Sequence, residues 1–316
     1  MEAVAHGSLR AASLFSVAGR VALITGGGRG VGEMIARALV ENGATVYIAS
    51  RSEGACARTA KVLSALGPGV CHALPAADLS TDAGCQEMVA QLSQREHGLD
   101  ILVNNSGISW GAPLETFPEE QWDRVMALNV KSPFLVTRAC KPLLLAASAA
   151  AAAAAAPPPS AGSAAAEGDA AAGARPRGDT TTLLGAGPSR VINIGSIVGL
   201  RPQPIPTYSY DASKAALHAL TLKLAGELAP AITVNAIALG YVPSRMSRGL
   251  LNYGRAEQLE AAIPMKRFGS AGDVGGAALF LSSRAGQWVT GTVLTVDGGS
   301  VGAQPLVLVS EGEELA

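Results

Sequence analysis

The sequence lacks strong net charge and any metal-binding pattern. Its 316 residues carry a formal net charge of −1, so the composition does not favour nucleic acid or an anionic membrane as a partner. The four histidines and four cysteines are scattered, with no C-x-x-C pair and no metal-ligand spacing. Isolated cysteines in a chain of this length are typical of reduced thiols, which predicts a cytoplasmic protein with no metal site.

Long apolar runs are also missing. No run approaches the roughly 18 residues that a membrane-spanning helix needs, because the alanine-rich stretch is only weakly apolar. Residues 1–13 lack a basic segment followed by a long apolar core, so we expect no secretory signal, while organellar targeting stays open. Hydrophobic residues nevertheless make up 48% of the chain, enough for a large core in one large domain or two small ones.

Short apolar runs alternate with helical patterns along most of the chain. Runs such as Val21 to Thr25 and Ile232 to Ile237 do not alternate with polar residues, which is typical of strands covered on both faces. The repeated β-α order predicts an α/β fold: a single Rossmann-type, doubly wound parallel sheet with helices on both faces. Ligands of such sheets bind beyond the carboxyl ends of the strands.

This pattern divides the chain into a domain at residues 15–300, an N-terminal extension at 1–14 and a tail at 301–316. An insertion rich in Ala, Pro, Gly and Ser interrupts the domain at 146–188. We expect the preceding helix to continue through its alanine run and stop at Pro157, with disorder beyond it. The insertion should emerge opposite the ligand site, and a tolerated loop is favoured over a partner-binding element.

A glycine-rich loop follows the first predicted strand and opens the first helix. Glycines allow backbone N–H groups to approach a phosphate at a helix N-terminus, where the helix dipole favours negative charge. A strand-to-helix junction near the start of a β-α-β chain makes a nucleotide far more probable than a plain turn. The residues of this candidate site are Thr25, Gly26, Gly28, Arg29, Gly30 and Gly32.

The end of the second strand bears on the choice of nucleotide. An acidic residue there would accept the ribose 2′-hydroxyl of NAD, but Ser50 stands at this place and Arg51 follows. Together with Arg29, Arg51 suits a 2′-phosphate and therefore predicts NADPH, the alternative being two solvated arginines. Asp78 and Leu79 after the third strand are expected either to border the adenine or to form an ordinary turn.

Tyr210 and Lys214 are one helical turn apart on the same face, which brings a phenol next to an ammonium group. A fixed cation favours the phenolate, so we expect the pKa of Tyr210 to fall towards the working range of an acid-base catalyst. Ser196 follows a buried strand and would add a hydroxyl group to this candidate site. The pattern is weak by itself, and a solvated helix face is the alternative.

A short segment after the fourth strand and a single asparagine are candidates for support of the site. Asn105, Ser106 and Gly107 close the fourth strand, where they either brace the strand ends and the cofactor pocket or form an ordinary turn. Asn129 lies within a predicted helix, where asparagine is unfavourable. We expect it either to bond backbone groups at a kink and hold a water molecule or to be exposed.

In combination, these motifs resemble the short-chain dehydrogenase/reductase family. The similarity covers about residues 15–300 without the insertion, and its motifs are the glycine loop, N-N-S-G, the helix asparagine, the strand-end serine, Y-x-x-x-K and a closing V-D-G-G. The resemblance implies that Tyr210 donates the proton and that Lys214 lowers its pKa and holds the nicotinamide ribose. It also implies that Ser196 orients the carbonyl and that Asn129 anchors a relay water.

Several further segments are similar to NADPH-dependent 3-oxoacyl-ACP reductases of this family, including S-W-G-A at 109–112 and P-S-R-M at 243–246. The resemblance implies reduction of a ketone, in particular a 3-oxoacyl thioester, and cofactor contacts by Gly240, Val242 and Ser244. Three positions depart from the family pattern. Ser106 replaces alanine, Leu239 replaces the proline before Gly240, and Ser244 replaces threonine.

The segment 241–268 is expected to be the substrate lid. It carries five basic residues, on which an acidic acyl carrier protein could dock, although a solvated basic face is favoured: Arg245, Arg248, Arg255, Lys266 and Arg267. The resemblance implies a homo-oligomer formed through the helices that hold Asn129 and Tyr210. Another ketone or alcohol, such as a steroid, a sugar or a xenobiotic carbonyl, and an NADPH sensor without turnover remain as alternatives.

Overall fold

The structure, a computed structural model, describes residues 8–155, 187–244 and 256–303. Its centre is one seven-stranded sheet, entirely parallel, in the order β3-β2-β1-β4-β5-β6-β7. The strands are β1 (Val21–Thr25), β2 (Thr45–Ala49), β3 (Val70–Ala73), β4 (Ile101–Asn104), β5 (Ser189–Ile194), β6 (Ile232–Leu239) and β7 (Val293–Val296). The order reverses direction at β1 and β4, as in a doubly wound fold.

Helices cover both faces of this sheet, as predicted. The described helices are α1 (Ala11–Leu14), α2 (Gly30–Glu41), α3 (Glu53–Ser64), α4 (Asp82–Ser93), α5 (Glu119–Met126), α6 (Ser132–Ala155), α7 (Tyr208–Leu228), α8 (Ala256–Ala262) and α9 (Ala271–Ser282). The short helices α1 and α8 were not predicted, since neither segment has enough turns to show a clear periodicity.

The core lies in two layers, one on each side of the sheet. Successive residues of β1 point to opposite faces, so Ile24 packs with α2 in one layer and Leu23 packs with α6 in the other. Both side chains are fully buried, which explains why the central strands are mostly apolar on both faces. The predicted fold class is confirmed.

The boundaries of the predicted insertion lie at the amino ends of the strands. α6 continues through the alanine run to Ala155, and β5 begins at Ser189, whose Oγ donates to the Leu144 carbonyl at 2.8 Å. Residues 156–186, including the predicted stop at Pro157, lie outside the described part of the chain. The same holds for 1–7 and 304–316.

The helical stretch Glu119–Ala154 is long and apolar enough to cross a membrane by length and composition, which the sequence-based expectation missed. This test is weak evidence, because a helix packed on a sheet passes it as well. In this structure Val136, Cys140 and Leu144 of that stretch are fully buried against the sheet.

Candidate active site

The glycine loop connects β1 to α2 at the carboxyl edge of the sheet. Gly26 and Gly30 adopt φ angles of +68° and +59°, a region that favours glycine. A Cβ atom at Gly32 would lie 2.5 Å from both the Gly26 carbonyl oxygen and Asn105 Nδ2. No side chain caps the N-terminus of α2, so its first N–H groups can meet an anion.

Thr25 and Asn105 brace this loop from the adjoining strand ends. Thr25 Oγ1 accepts from the backbone N–H groups of Asn105 and Ser106, both at 3.0 Å. Asn105 Nδ2 donates to the carbonyl oxygens of Thr25 and Gly26 at 2.9 and 3.2 Å. The segment after β4 therefore holds the glycine loop in place.

A cleft of about 420 Å³ opens beside the loop. Two exposed cations, Arg29 and Arg51, line it, and none of its described lining residues is acidic. Ser50 also lines the cleft, where its Oγ accepts from Ser52 N at 3.1 Å and lies 3.2 Å from Cys56 Sγ. The cleft thus fits a nucleotide that carries an additional phosphate near Arg29 and Arg51.

Asp78 and Leu79 differ in their contacts. Leu79 is buried and lines the cleft. Asp78 instead accepts from Ser80 N and Ser80 Oγ at 3.0 and 2.7 Å, and these bonds, helped by the charge of Arg51, hold the pKa of Asp78 below its usual range. Of these two residues, only Leu79 lines the cleft.

Ser196, Tyr210 and Lys214 meet beyond the end of β5. Ser196 follows that strand by two residues, while Tyr210 and Lys214 lie on the first turns of α7. Lys214 is buried, its Nζ lies 5.6 Å from the centre of the Tyr210 ring, and it donates to the Ile194 carbonyl at 2.7 Å. The helix face predicted from the Y-x-x-x-K spacing is therefore turned inward, and the solvated-face alternative is wrong.

The pKa of Tyr210 differs from the expectation. Burial raises this pKa, and a hydrogen bond with Ser196 only partly opposes the rise. Burial also lowers the pKa of Lys214 to about 8, and its ammonium group donates to the Ile194 carbonyl. The expected fall in the pKa of Tyr210 is wrong, because burial, together with the charge of Asp211, outweighs the hydrogen bond with Ser196.

Asn129 is buried within a π-helical turn, Ala127–Lys131, between α5 and α6. Its amide pairs with the backbone of Ile108 in both directions at 2.9 Å, and its Nδ2 also donates to Ser213 Oγ at 3.0 Å. Ser213 Oγ in turn donates to the Tyr210 carbonyl at 2.7 Å. The predicted backbone bonding at a kink is confirmed, and the exposed alternative is wrong.

Gly107 lies close to this amide, since a Cβ atom there would be 3.1 Å from Asn129 Oδ1. Near the opposite side of the glycine loop, the Ser244 Cβ lies 3.6 Å from the place that a Cβ on Gly30 would take. Gly240 N donates to the Val296 carbonyl at 3.0 Å, and Val242 is buried. The chain after β6 thus passes the start of α2.

The predicted lid is described only in part. Arg245, Arg248 and Arg255 lie outside the described residues. Lys266 Nζ donates to the Ala261 carbonyl, and Arg267 pairs with Asp273 at 2.7 Å.

Four residues at this site were not predicted from the sequence. Ile108 and Leu128 line the cleft, Ser213 links Asn129 to α7, and His218 is buried one helical turn beyond Lys214. The i,i+4 spacing of Lys214 and His218 was the available signal for the last of these.

This fold and site define a nucleotide-binding oxidoreductase of the doubly wound α/β class. A family model described as "short chain dehydrogenase" matches residues 20–153, and one described as "Enoyl-(Acyl carrier protein) reductase" matches residues 178–301. The chain belongs to the short-chain dehydrogenase/reductase family, so the resemblance drawn from the motifs is confirmed.

Individual relatives support this placement. The chain is 43% identical to a Pseudomonas aeruginosa protein, "Rhamnolipids biosynthesis 3-oxoacyl-(acyl-carrier-protein) reductase", over 90% of this chain and 97% of that one. It is 32% identical to a Bacillus subtilis "2-dehydro-3-deoxy-D-gluconate 5-dehydrogenase" over 90% and 96%. The solved "Pseudomonas aeruginosa RhlG/NADP active-site complex" superposes with a TM-score of 0.76 at 42% identity, covering 91% and 98%.

Proposed function

We propose that this protein reduces a ketone to a secondary alcohol with NADPH, and that its substrate is a 3-oxoacyl thioester. The observation that carries the proposal is the meeting of Ser196, Tyr210 and Lys214 at the carboxyl edge of the sheet, the same edge at which a cleft with the charged lining side chains Arg29 and Arg51 opens. The similarity to a 3-oxoacyl reductase and to an NADP complex points the same way.

The cleft would hold the cofactor through backbone groups and cations. The N–H groups at the start of α2 would take the pyrophosphate, Arg29 and Arg51 the 2′-phosphate, and Leu79 one face of the adenine. We assign further cofactor contacts to residues of the glycine loop, of the strand ends around the cleft and of the chain after β6: Thr25, Gly26, Gly28, Gly30, Gly32, Asp78, Asn105, Ser106, Gly107, Gly240, Val242 and Ser244. When bound, the reduced nicotinamide supplies the hydride.

Ser196 and Tyr210 would polarise the ketone. Both hydroxyl groups donate to its oxygen as negative charge develops there, and Tyr210 then transfers its proton to this oxygen. The raised pKa of Tyr210 keeps the phenol protonated before the reaction. The ammonium group of Lys214 stabilises the phenolate that remains, and Asn129 holds the turn through which water would return a proton.

The described residues near the start of α7 favour an acyl chain over a sugar acid. Ala112 N donates to the Pro206 carbonyl at 3.1 Å, which places the loop after β4 against the segment that leads to Tyr210. The large apolar side chains exposed on these two segments and the start of α7 are Trp110, Leu114, Leu200 and Tyr208. An acyl tail would cover this surface, whereas a polyhydroxylated acid would leave its own polar groups unpaired against it.

The test is the loss of NADPH absorbance with acetoacetyl-CoA and, in parallel, 5-keto-D-gluconate. We expect turnover of the thioester and a fall in kcat of at least about 100-fold in Tyr210→Phe, because the proton donor is gone. Tyr208→Phe is the matched control on the same helix, since it keeps the ring that packs 5.7 Å from Phe117.

Several outcomes would refute parts of the proposal. Unchanged turnover in Tyr210→Phe would exclude the mechanism, and faster reduction of the sugar acid would exclude the acyl substrate. Faster turnover with NADH would contradict the roles of Arg29 and Arg51. NADPH binding without turnover of any ketone would favour a sensor.

The proposal also covers the oligomeric state of the protein and its partners. We propose a homo-oligomer through α5, α6 and α7, whose exposed Trp122, Phe134 and Leu222 suit a protein interface. Sedimentation velocity tests this, since a monomer at micromolar concentration would contradict it. Docking of an acyl carrier protein and a cytoplasmic location stay predictions.

A further inference from the structure

We propose that His218 is a positioning residue, which fixes the turn that carries Ser196 against the helix that carries Tyr210 and Lys214. The inference rests on the proposed function for its kinetic consequence, but its structural basis is independent of the substrate. His218 lies on α7, one helical turn after Lys214. The residue is buried, with 5% of its surface exposed to solvent.

Both ends of the Ser196 turn contact the imidazole ring. A Cβ atom added at Gly195 would lie 2.3 Å from His218 Nε2, and one added at Gly199 would lie 2.9 Å from His218 Cε1. The glycines at these positions therefore let the backbone on either side of Ser196 lie directly on the ring. Any larger residue at 195 or 199 would push the turn away from α7.

Lys214, which lies one helical turn before His218, also binds the segment around Ser196. Its Nζ donates to the carbonyl of Ile194, the residue just before Gly195. The backbone at Gly199 also packs on α7, since a Cβ atom there would lie 2.6 Å from the Lys214 carbonyl carbon. Lys214 thus holds one end of the turn by a hydrogen bond, and His218 supports both ends by contact.

His218 acts through its shape rather than its charge. Burial and the neighbouring Lys214 lower its pKa to about 4, so the ring is neutral over the range in which the enzyme would work. Among the described residues, neither ring nitrogen has a well-aligned hydrogen-bond partner, and the contact with the Gly199 backbone opposes the fall in pKa only weakly. A flat, neutral ring fits the space between two glycine backbones.

The consequence concerns the placement of Ser196 relative to Tyr210. The two side chains must reach the same ketone oxygen, and an error of about 1 Å in such a geometry costs on the order of 100-fold in rate. Removal of the ring in His218→Ala would let the turn settle towards α7. The cofactor contacts of Arg29 and Arg51 would be unaffected, because they lie on other elements.

The experiment compares His218→Ala with His218→Asn, which keeps a flat side chain, and with His72→Ala as a control. His72 stacks on Tyr47 at 5.2 Å in the edge strand β3, away from Ser196. We expect kcat for the ketone to fall about 10- to 100-fold in His218→Ala and less in His218→Asn. The KM for NADPH should stay within about threefold, and the pH profile of kcat should keep its shape because the pKa of His218, about 4, lies below the working range of the enzyme.

A double-mutant cycle adds a second measurement. Gly195→Ala should lower kcat in the same way, and its effect should shrink when His218 is already alanine, because the closest contact of its Cβ atom, 2.3 Å to His218 Nε2, is gone. Full additivity of the two changes, or an unchanged kcat in His218→Ala, would overturn the inference. A changed pH profile would overturn it too, since it would indicate proton transfer by His218.

Crystal structures of the wild type and His218→Ala distinguish this inference from the proposed function. If the wild type reduces no ketone, the proposed function fails, while a displaced Ser196 turn in the variant would still support positioning by His218. An undisplaced turn would overturn the inference whatever the substrate.

Discussion

At the residue scale, Lys214 combines a role in the proposed chemistry with a cost to stability. Its buried ammonium group has one described hydrogen-bond acceptor, the Ile194 carbonyl, and burial lowers its pKa from 10.5 to about 8. In the unfolded chain the same group keeps its proton up to about pH 10.4. Between these two values the unfolded state binds more protons than the folded state, so stability rises with pH.

This sign leads to a measurable prediction. The free energy of unfolding of the wild type should rise relative to that of Lys214→Met by up to about 3 kcal/mol between pH 7 and pH 10.5. The cost of the buried charge is fully present below pH 8 and fades above it. Urea unfolding of both proteins across this range measures the difference, in which other titrating groups cancel. A constant difference would mean that Lys214 is not desolvated.

At the scale of the element, the glycine loop depends on close packing between α2 and the segment after β4. Gly32 is the tightest point, because a side chain there would meet both a backbone carbonyl and Asn105. In contrast, Gly226 lies inside α7 with nothing within 4 Å of its Cβ position. Close packing therefore requires a glycine at position 32, whereas the space around position 226 would accept a side chain.

We expect Gly32→Ala to destabilise the protein by about 1–3 kcal/mol and to weaken NADPH binding about tenfold or more. Gly226→Ala should instead stabilise it by about 0.5–1 kcal/mol, because alanine is the better helix former. Thermal melts and fluorescence titration with NADPH measure both effects. Equal, small effects of the two substitutions would contradict the packing seen around Gly32.

The structure of the turn around Asn129 could be predicted from the sequence only in part. An asparagine inside a long helical pattern predicted an interruption, and the structure has a π-helical turn there. The sequence did not predict the amide pairing with Ile108 or the link through Ser213 to the Tyr210 carbonyl. These partners are distant along the chain, so only the packing of α7 against this turn brings them together.

At the scale of the whole molecule, the site and the two described ends of the insertion lie at opposite edges of one sheet. The carboxyl ends of the strands carry the glycine loop, Ser196 and the start of α7, while α6 and β5 meet the insertion at the amino ends. None of the described residues that line the cleft belongs to α6.

Replacement of residues 156–186 by a flexible Gly/Ser linker of about ten residues should therefore leave kcat/KM and the melting temperature unchanged. Enzyme assays and thermal melts test this, with sedimentation velocity to check the assembly. A loss of activity or a change of oligomeric state would instead favour the alternative that the insertion binds a partner.

The sequence by itself determined the sheet, the glycine loop and the side chains that meet beyond β5, because apolar periodicity, glycine spacing and Y-x-x-x-K are local patterns. Only the tertiary structure decided the protonation of these groups and their neighbours. It showed that burial raises the pKa of Tyr210 where the sequence predicted a fall, and that His218 lies against the Ser196 turn. Desolvation and contacts between distant segments depend on how the chain packs, and neither is written in the spacing of residues along it.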